Sequence, residues 1–188
     1  MGGSGRGRVA PRSGLSTSSR VVGRMHEHGA MTDTTESGAW LPEGFEHPTR
    51  VELVPGYHLR PIRATDVDLD YPAVMGSRER LWSIYGDAWG WPPETMSYEA
   101  DRDDLAMHER EIADHVTFNY AILDDDETRL VGCVYIDPSD EADAESSWWV
   151  VDELVGSPVE QALDAFVPQW LRTTWGFRTV AFPFSRVE

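Results

Sequence analysis

From residue 57 onward, apolar residues recur with the periods of strands and helices, and short polar turns separate these stretches. Residues 57–62 (YHLRPI) predict a short strand, and residues 65–66 offer an N-cap for a helical stretch through about Tyr85. A loop is expected over 86–93, because two glycines and two prolines in eight residues interrupt a helix. Residues 95–115 predict a second helix, since their apolar positions recur three and four residues apart.

The second half of the chain predicts three strands, one helix and a last strand. Residues 118–122 have an alternating pattern, and a turn at 124–128 leads into 129–137, which is apolar on both faces. These stretches predict an antiparallel hairpin with one fully covered strand. A strand at 144–151, an amphipathic helix from 158 and a strand at 178–182 follow. The predicted order is therefore β-α-α-β-β-β-α-β.

The stretch 146–163 (SSWWVVDELVGSPVEQAL) predicts a strand that enters a helix through a capped turn. Gly156 ends the strand, Ser157 is the expected N-cap, and Pro158 suits the first helical position. The Ser157 side chain can accept from the N–H of Glu160, whose carboxylate can reach back to the N–H of Ser157. Free N–H groups at a helix start bind phosphates, so this turn bears directly on cofactor binding.

Three fragments stand in order along the chain: 59–62 (LRPI) with Asp66, 130–136 (LVGCVYI), and 149–163 leading to 170–171 (WL) and 175–177 (WGF). Together with the order of elements, they resemble the GNAT superfamily of N-acetyltransferases over about 57–184. The resemblance implies an α+β, layered fold with a mixed, mostly antiparallel central sheet and helices on both faces. It also implies N-acetyltransferase activity that uses acetyl-CoA.

In the GNAT family the fourth and fifth strands splay apart, acyl-CoA lies in the gap, and a Gln/Arg-x-x-Gly-x-Gly/Ala turn holds its pyrophosphate. On this chain the motif falls on 155–160, and all three defining positions differ: Val155, Pro158 and Glu160. Two like charges about 4 Å apart at a dielectric near 20 repel by roughly 4 kcal/mol, so Glu160 is expected to weaken phosphate binding.

The resemblance nevertheless assigns the cofactor contacts to a short set of residues around that turn. The strand backbone at Val150 and Val151 is expected to bind the pantetheine arm. The positions that match the phosphate turn are Val155, Gly156 and Ser157.

Glu145 is the first candidate for a catalytic base, because it stands at the head of the fourth strand, where the family often places one. Tyr135 and Asp137 are neighbours that can also serve. Amine acetylation needs a base that takes a proton from an ammonium and a group that polarises the thioester carbonyl. The alternative for Glu145 is a solvated carboxylate at a strand end, since acidic side chains are mostly exposed.

Aromatic residues between 82 and 91 fall in the segment that forms the acceptor-side wall in the family: Trp82, Tyr85, Trp89 and Trp91. Aromatic faces bind cationic amines, so these side chains are candidates for substrate binding. The alternative is that they form core or dimer contacts, as clustered tryptophans often do.

Charge is distributed unevenly along the chain. Five of the 16 basic residues precede the first acid, Glu27, which leaves 11 arginines against 33 acids, a net charge of −22, in the remainder. Such a field repels nucleic acid and anionic membranes and favours a small amine or a basic peptide as partner; solubility is the alternative explanation. Without an apolar run of about 20 residues, the protein is expected to be cytoplasmic.

Residues 1–39 have the composition of a disordered tail, and Met25 and Met31 are alternative translation starts. A single domain is expected over 40–188.

The family continues past the fifth strand with a helix and two strands, whereas only 183–188 follow here. The open edge of the last strand therefore predicts a homodimer, or a fold-back of residues 40–56 that covers it.

No metal site is expected. His108 and His115 are seven residues apart, whereas zinc-binding histidines on one helix are usually four apart. Glu111 and His115 instead suggest a charge pair. Cys133 is the only cysteine and is expected to fill the core.

Two functions remain open: an N-acetyltransferase with an atypical CoA turn, and a GNAT-like domain that has lost catalysis and binds a ligand or a partner.

Overall fold

The computed structural model describes residues 40–184. These residues form six strands and four α-helices, in the order β-β-α-α-α-β-β-β-α-β. The strands are β1 (Val51–Val54), β2 (Tyr57–Pro61), β3 (Phe118–Asp124), β4 (Leu130–Asp137), β5 (Ala144–Val150) and β6 (Val180–Ala181). The helices are α1 (Val67–Gly76), α2 (Arg78–Trp89), α3 (Tyr98–Ala113) and α4 (Pro158–Thr173). Short 3-10 turns at Ala64–Asp66 and Asp152–Leu154 precede α1 and α4.

All six strands form one sheet in sequence order, β1-β2-β3-β4-β5-β6. Neighbouring strands are antiparallel except β5 and β6, which are parallel. Cys133 on β4 contacts Asp70 of α1 on one face, and the Tyr120 ring on β3 packs against Trp170 of α4 on the other. The α+β prediction, with a mostly antiparallel sheet between helices, is therefore confirmed.

Strand β1 was not predicted from the sequence. Its four residues include a register shift between Glu52 and Val54, so no regular alternation marks it. It pairs with β2 at the edge of the sheet opposite β6. Residues 51–54 therefore do not cover the edge of β6, and that alternative is wrong for them. The homodimer stays a prediction.

The predicted single helix from 65 to about Tyr85 is wrong, because the chain breaks at Ser77. The Ser77 side chain accepts from the N–H of Asp152, 3.1 Å away, and so ties the break to the β5–α4 turn. The predicted loop over 86–93 begins too early, since α2 continues to Trp89 and ends at Gly90, where φ is +64°. Gly86 remains helical, and the Trp82 ring covers its open side.

Strands β4 and β5 approach each other closely at Gly132, which lies opposite Val150. A Cβ atom at Gly132 would overlap the Trp149 carbonyl oxygen and lie 3.0 Å from the Cα atom of Val150. A side chain larger than hydrogen therefore does not fit there. This contact sets the position of the carboxyl end of β5, from which the candidate site is built.

Candidate functional site

The candidate site begins with a gap between the two parallel strands. Strands β5 and β6 pair only at Ala144 with Val180 and at Glu145 with Ala181. Beyond Glu145, β5 continues to Val150 without a strand partner on that side in the described part of the chain. The edge of β5 after Glu145 is therefore available to another group.

The backbone of alternate β5 residues points into this gap. Val151 donates its N–H to the carbonyl of Val131 on the β4 side, so by alternation the N–H and C=O groups of Trp148 and Val150 point away from β4. Two side chains of α2 bond to them: the Tyr85 hydroxyl donates to the Trp148 carbonyl at 3.3 Å, and the Arg80 guanidinium donates to the Val150 carbonyl. Helix α2 thus covers part of the open edge.

The turn after β5 follows the predicted cap with one difference. Ser157 accepts from the N–H of Glu160 at 3.4 Å, as expected. The Glu160 carboxylate, however, accepts from the N–H of Gly156 rather than from that of Ser157, which donates to the Leu154 carbonyl. Gly156 has φ of +76°, which aims its N–H back over the helix start. The Glu160 carboxylate therefore takes up the N–H of Gly156, one of the residues that the sequence resemblance assigns to the phosphate turn.

The five proposed cofactor-binding residues lie along one path from β5 to α4. Val150 presents its backbone to the gap, whereas both backbone groups of Val151 are bonded within the protein. The Val155 side chain is exposed, and Gly156 and Ser157 form the turn itself. A cavity of about 470 Å³ lies between α1, the start of β4 and residues 151–153, and of the five residues only Val151 lines it.

The two candidate catalytic residues share the α1–α3 face of the sheet. Glu145 is half-buried and lies opposite Asp137 across β4 and β5. The Tyr135 hydroxyl accepts from the Trp149 indole N–H at 3.0 Å, which leaves its own hydrogen for another acceptor. Burial raises the pKa of Tyr135 well above its usual range. Tyr135 is therefore a neutral hydrogen-bond donor at physiological pH rather than a base.

Three of the four predicted substrate-binding aromatics come together. The Tyr85 and Trp89 rings stack at 4.6 Å, and both stand edge-on to Tyr135, with Trp91 beside them. Phe184 packs against Tyr85 and Trp89 at 5.0 and 4.9 Å. Trp82 lies apart, 43% exposed on α2. The stacked faces contact each other, so only the outer surface of this group can meet a ligand.

A buried acidic group on the same face was missed by the sequence analysis. Asp70 on α1 and Asp101 on α3 are almost fully buried, and the Cys133 thiol donates to Asp70 at 3.8 Å. Burial, and then the neighbouring Asp104, raise the pKa of Asp101 to about 7, and the pKa of Asp70 is also raised, mainly by burial. Burial likewise raises the pKa of the Cys133 thiol, which favours the neutral thiol over the thiolate.

A sequence signal for this group existed. Asp101 and Asp104 lie on the same helical face as Leu105, His108 and Ile112, because they continue the spacing of three and four residues. The predicted helix thus carries a buried acid, Asp101, and a half-buried one, Asp104, within its apolar stripe. Acids usually mark the solvent side of a helix, so this placement departs from the common amphipathic pattern.

Asp101→Asn is expected to change how stability depends on pH. An acid with a raised folded-state pKa favours folding while it is protonated, so its contribution is full below about pH 4 and is lost as the pH rises through about 7. Between pH 4 and 8 the unmodified protein should lose about 2 kcal/mol more than the variant, a value that allows for coupling to Asp70 and Asp104. Urea unfolding at both pH values measures this difference.

The matched control is Asp103→Asn, because the Asp103 side chain is 75% exposed and pairs with Arg102 at the surface. Its unfolding should keep the pH dependence of the unmodified protein. Equal pH dependence in the Asp101 variant and the unmodified protein would show that ionising Asp101 in the folded protein costs little free energy.

The histidines form ordinary polar contacts. His108 lies 3.1 Å from Glu111 and 3.7 Å from Asp104. The predicted pair between Glu111 and His115 is wrong, since Glu111 bonds His108 and His115 lies 3.4 Å from His47. Among residues 40–184, no three His, Cys, Asp or Glu side chains are placed to hold a metal ion. Within the same range, no helix is long and apolar enough to cross a membrane.

No protein-family model matches the chain, and no curated protein matches its sequence. Solved structures of acetyltransferases do match. A probable acetyltransferase aligns with a TM-score of 0.56 at 15% identity, over 71% of this chain and 72% of its own. The ribosomal-protein-S5-alanine acetyltransferase from Vibrio fischeri aligns at 0.54 and 15%, over 71% and 72%. The microcin C7 self-immunity acetyltransferase MccE, solved with acetyl-CoA and AMP, aligns at 0.55 and 11%, over 69% and 70%.

These matches extend over the element order and the sheet just described, and a nucleotide-linked sugar GNAT is among the matching structures. At identities of 11–15% the likeness reaches the fold alone. The chain has the GNAT fold.

Proposed function

We propose that this protein is an N-acetyltransferase that transfers an acyl group from acyl-CoA to a small amine or a basic peptide. The observation that supports it is the gap between β5 and β6, where the backbone of Trp148 and Val150 faces outward beside a helix start. Similar folds include a protein solved with acetyl-CoA. One fold hosts many activities, so the chemistry depends on the residues of the site.

Acyl transfer to an amine requires removal of a proton from the ammonium and stabilisation of charge that develops on the thioester. Glu145 is the proposed base, since it is half-buried at the point where β6 leaves β5. Tyr135 is the proposed donor, because its hydroxyl hydrogen is free while Trp149 holds its oxygen. Once Glu145 has taken one ammonium proton, the amine nitrogen bonds to the acyl carbon, the carbon–sulfur bond breaks, and CoA leaves as a thiolate that takes up the second proton lost from the nitrogen.

Charge supports a cationic acceptor. The chain from Glu27 onward carries 33 acids against 11 arginines. Acidic fields of this kind raise the local concentration of cations and lower that of anions. Trp89 and Trp91, which are half-buried, add apolar surface on the same face of the sheet as Tyr135, whereas Tyr85 is fully buried beneath them. A small amine and a basic peptide both fit this description.

Glu145→Gln is expected to lower acetyl transfer by about a hundredfold, because a positioned base contributes on the order of 10²–10⁴. Thiol release from acetyl-CoA over a panel of amines and arginine- or lysine-containing peptides, with mass spectrometry of the product, measures this rate. Asp140→Asn, on the exposed loop before β5, is the control and should keep full activity. Equal rates for Glu145→Gln and the control would remove Glu145 from the mechanism.

A GNAT-like domain without catalysis, binding a ligand or a partner, is the second candidate. The observation that favours it is the Glu160 carboxylate on the Gly156 N–H, since it places a negative charge where a pyrophosphate would lie. Thermal unfolding with acetyl-CoA separates the two. A rise in melting temperature that grows with acetyl-CoA concentration supports the enzyme, and no shift at millimolar acetyl-CoA supports the binding domain.

A further inference from the structure

The β5–α4 turn has few N–H groups left for an anion. Gly156 donates to Glu160 and Ser157 donates to the Leu154 carbonyl. Pro158 has no N–H, and the N–H of Glu160 donates to the Ser157 side chain. A ligand that carries a pyrophosphate must therefore be neutralised by a side chain near the open edge of β5.

Arg80 is the cationic side chain that contacts this edge. It extends from α2, and its guanidinium bonds both the Val150 carbonyl and the Asp152 carboxylate, the latter at 2.6 Å. The Arg80 side chain is 26% exposed and that of Asp152 is 52% exposed. A guanidinium has five N–H donors in a planar fork that matches phosphate oxygens, and on the Asp152 side its ion pair is open to water.

We propose that Arg80 is the pyrophosphate-binding residue of this protein, and that it exchanges Asp152 and the Val150 carbonyl for the phosphate when acyl-CoA binds. This inference rests on the proposed function. The exchange leaves no acceptor unpaired inside the gap, because the Val150 carbonyl that Arg80 leaves can accept from an amide N–H of the pantetheine arm. Asp152 turns to solvent, where it is already half exposed.

Arg80 then affects ligand affinity in two opposite ways. Without ligand, Arg80 occupies an acceptor on the edge of β5 and competes with the pantetheine arm. With ligand, it supplies the positive charge that the turn lacks. Removing Arg80 should therefore weaken a ligand that carries phosphates and leave a phosphate-free ligand unchanged or slightly tighter.

Calorimetric titration of Arg80→Gln with acetyl-CoA and with S-acetylpantetheine, which has the thioester arm without the pyrophosphate, tests this directly. A charge-assisted contact predicts a loss of about 10- to 100-fold for acetyl-CoA. The affinity for S-acetylpantetheine should not fall. Arg172→Gln is the matched control, because it removes the same charge from the last turn of α4, about 20 Å along the helix from the phosphate turn.

Asp152→Asn is a second variant, and it tests the same proposal if Arg80→Gln folds poorly. It releases Arg80 from its ion pair and should tighten acetyl-CoA severalfold without affecting S-acetylpantetheine. Equal weakening of both ligands by Arg80→Gln would make Arg80 a structural clamp and overturn the proposal, as would no change in either. An unmodified protein that binds neither ligand would contradict the proposed function itself.

Discussion

Replacement of Arg60 by methionine is expected to lower the free energy of unfolding by about 3–5 kcal/mol, the usual cost of removing one partner from a buried ion pair. Arg60 on β2 is 4% exposed and makes two parallel bonds to Asp66, at 2.7 and 2.9 Å. Its Nε donates to Glu127 at 2.9 Å. Without Arg60, the Asp66 carboxylate, itself 5% exposed, loses its counter-charge.

The same network fixes the entry to α1. Asp66 also accepts from the N–H of Arg63 at 2.8 Å, so it joins the end of β2 to the turn before α1. Loss of Arg60 should therefore loosen the α1–α2 layer that supports the candidate site. Urea unfolding measures the stability, and the total for a domain of this size is about 5–15 kcal/mol.

Arg50→Met is the control, because Arg50 contacts Glu52 and Glu127 with its side chain 48% exposed. Surface pairs of this kind contribute about 0–1 kcal/mol. A loss below about 1 kcal/mol for Arg60→Met, equal to the control, would show that the buried pair contributes little beyond its own desolvation.

Gly132→Ala should also destabilise strongly, by about 3 kcal/mol or more, because overpacking against backbone leaves little room for relaxation. The new methyl group would overlap the Trp149 carbonyl oxygen and press on the Val150 Cα. Cys133 and Trp149 are partners in the β4–β5 ladder, so the carbonyl has no free rotation. The two strands must separate, and the edge of β5 that forms the gap must move with them.

Gly76→Ala is the matched control, since a Cβ at Gly76 meets no atom within 4 Å and the residue lies in α1. Alanine is the better helix former, so this variant should be as stable as the unmodified protein or more stable by up to about 1 kcal/mol. Thermal unfolding of the two variants side by side separates overlap from a general effect of added methyl groups. Equal stabilities would contradict the close approach of β4 and β5.

The sequence predicted the elements whose signals are local. The start of α4 was predicted correctly because Ser157 and Pro158 act within a few residues of each other. The partner of Glu160 was misplaced by one residue, since the positive φ of Gly156 decides which N–H the carboxylate meets. Strand β1 was missed because four irregular residues carry no period and gain their place only by pairing with β2.

The buried polar contacts could not be predicted from local sequence patterns. Asp70 and Asp101 are 31 residues apart and meet only when α1 and α3 pack together, and Arg80 reaches Val150 across 70 residues. Such contacts depend on tertiary packing, which propensity and period do not contain. The stacking of Tyr85 on Trp89 and the separation of Trp82 were not predicted, because both follow from the continuation of α2 to Trp89. The role of these aromatic residues in substrate binding stays a prediction.

The central claim is that the gap between β5 and β6 is an acyl-CoA site in which Glu160 opposes the phosphates. Calorimetric titration of acetyl-CoA into the unmodified protein and Glu160→Gln tests it, because glutamine keeps an oxygen for the Gly156 N–H and removes only the charge. The account predicts that the variant binds acetyl-CoA about tenfold more tightly or better, since repulsion of up to roughly 4 kcal/mol is relieved. Equal or weaker binding by the variant, with Asp140→Asn as the remote charge control, would contradict it.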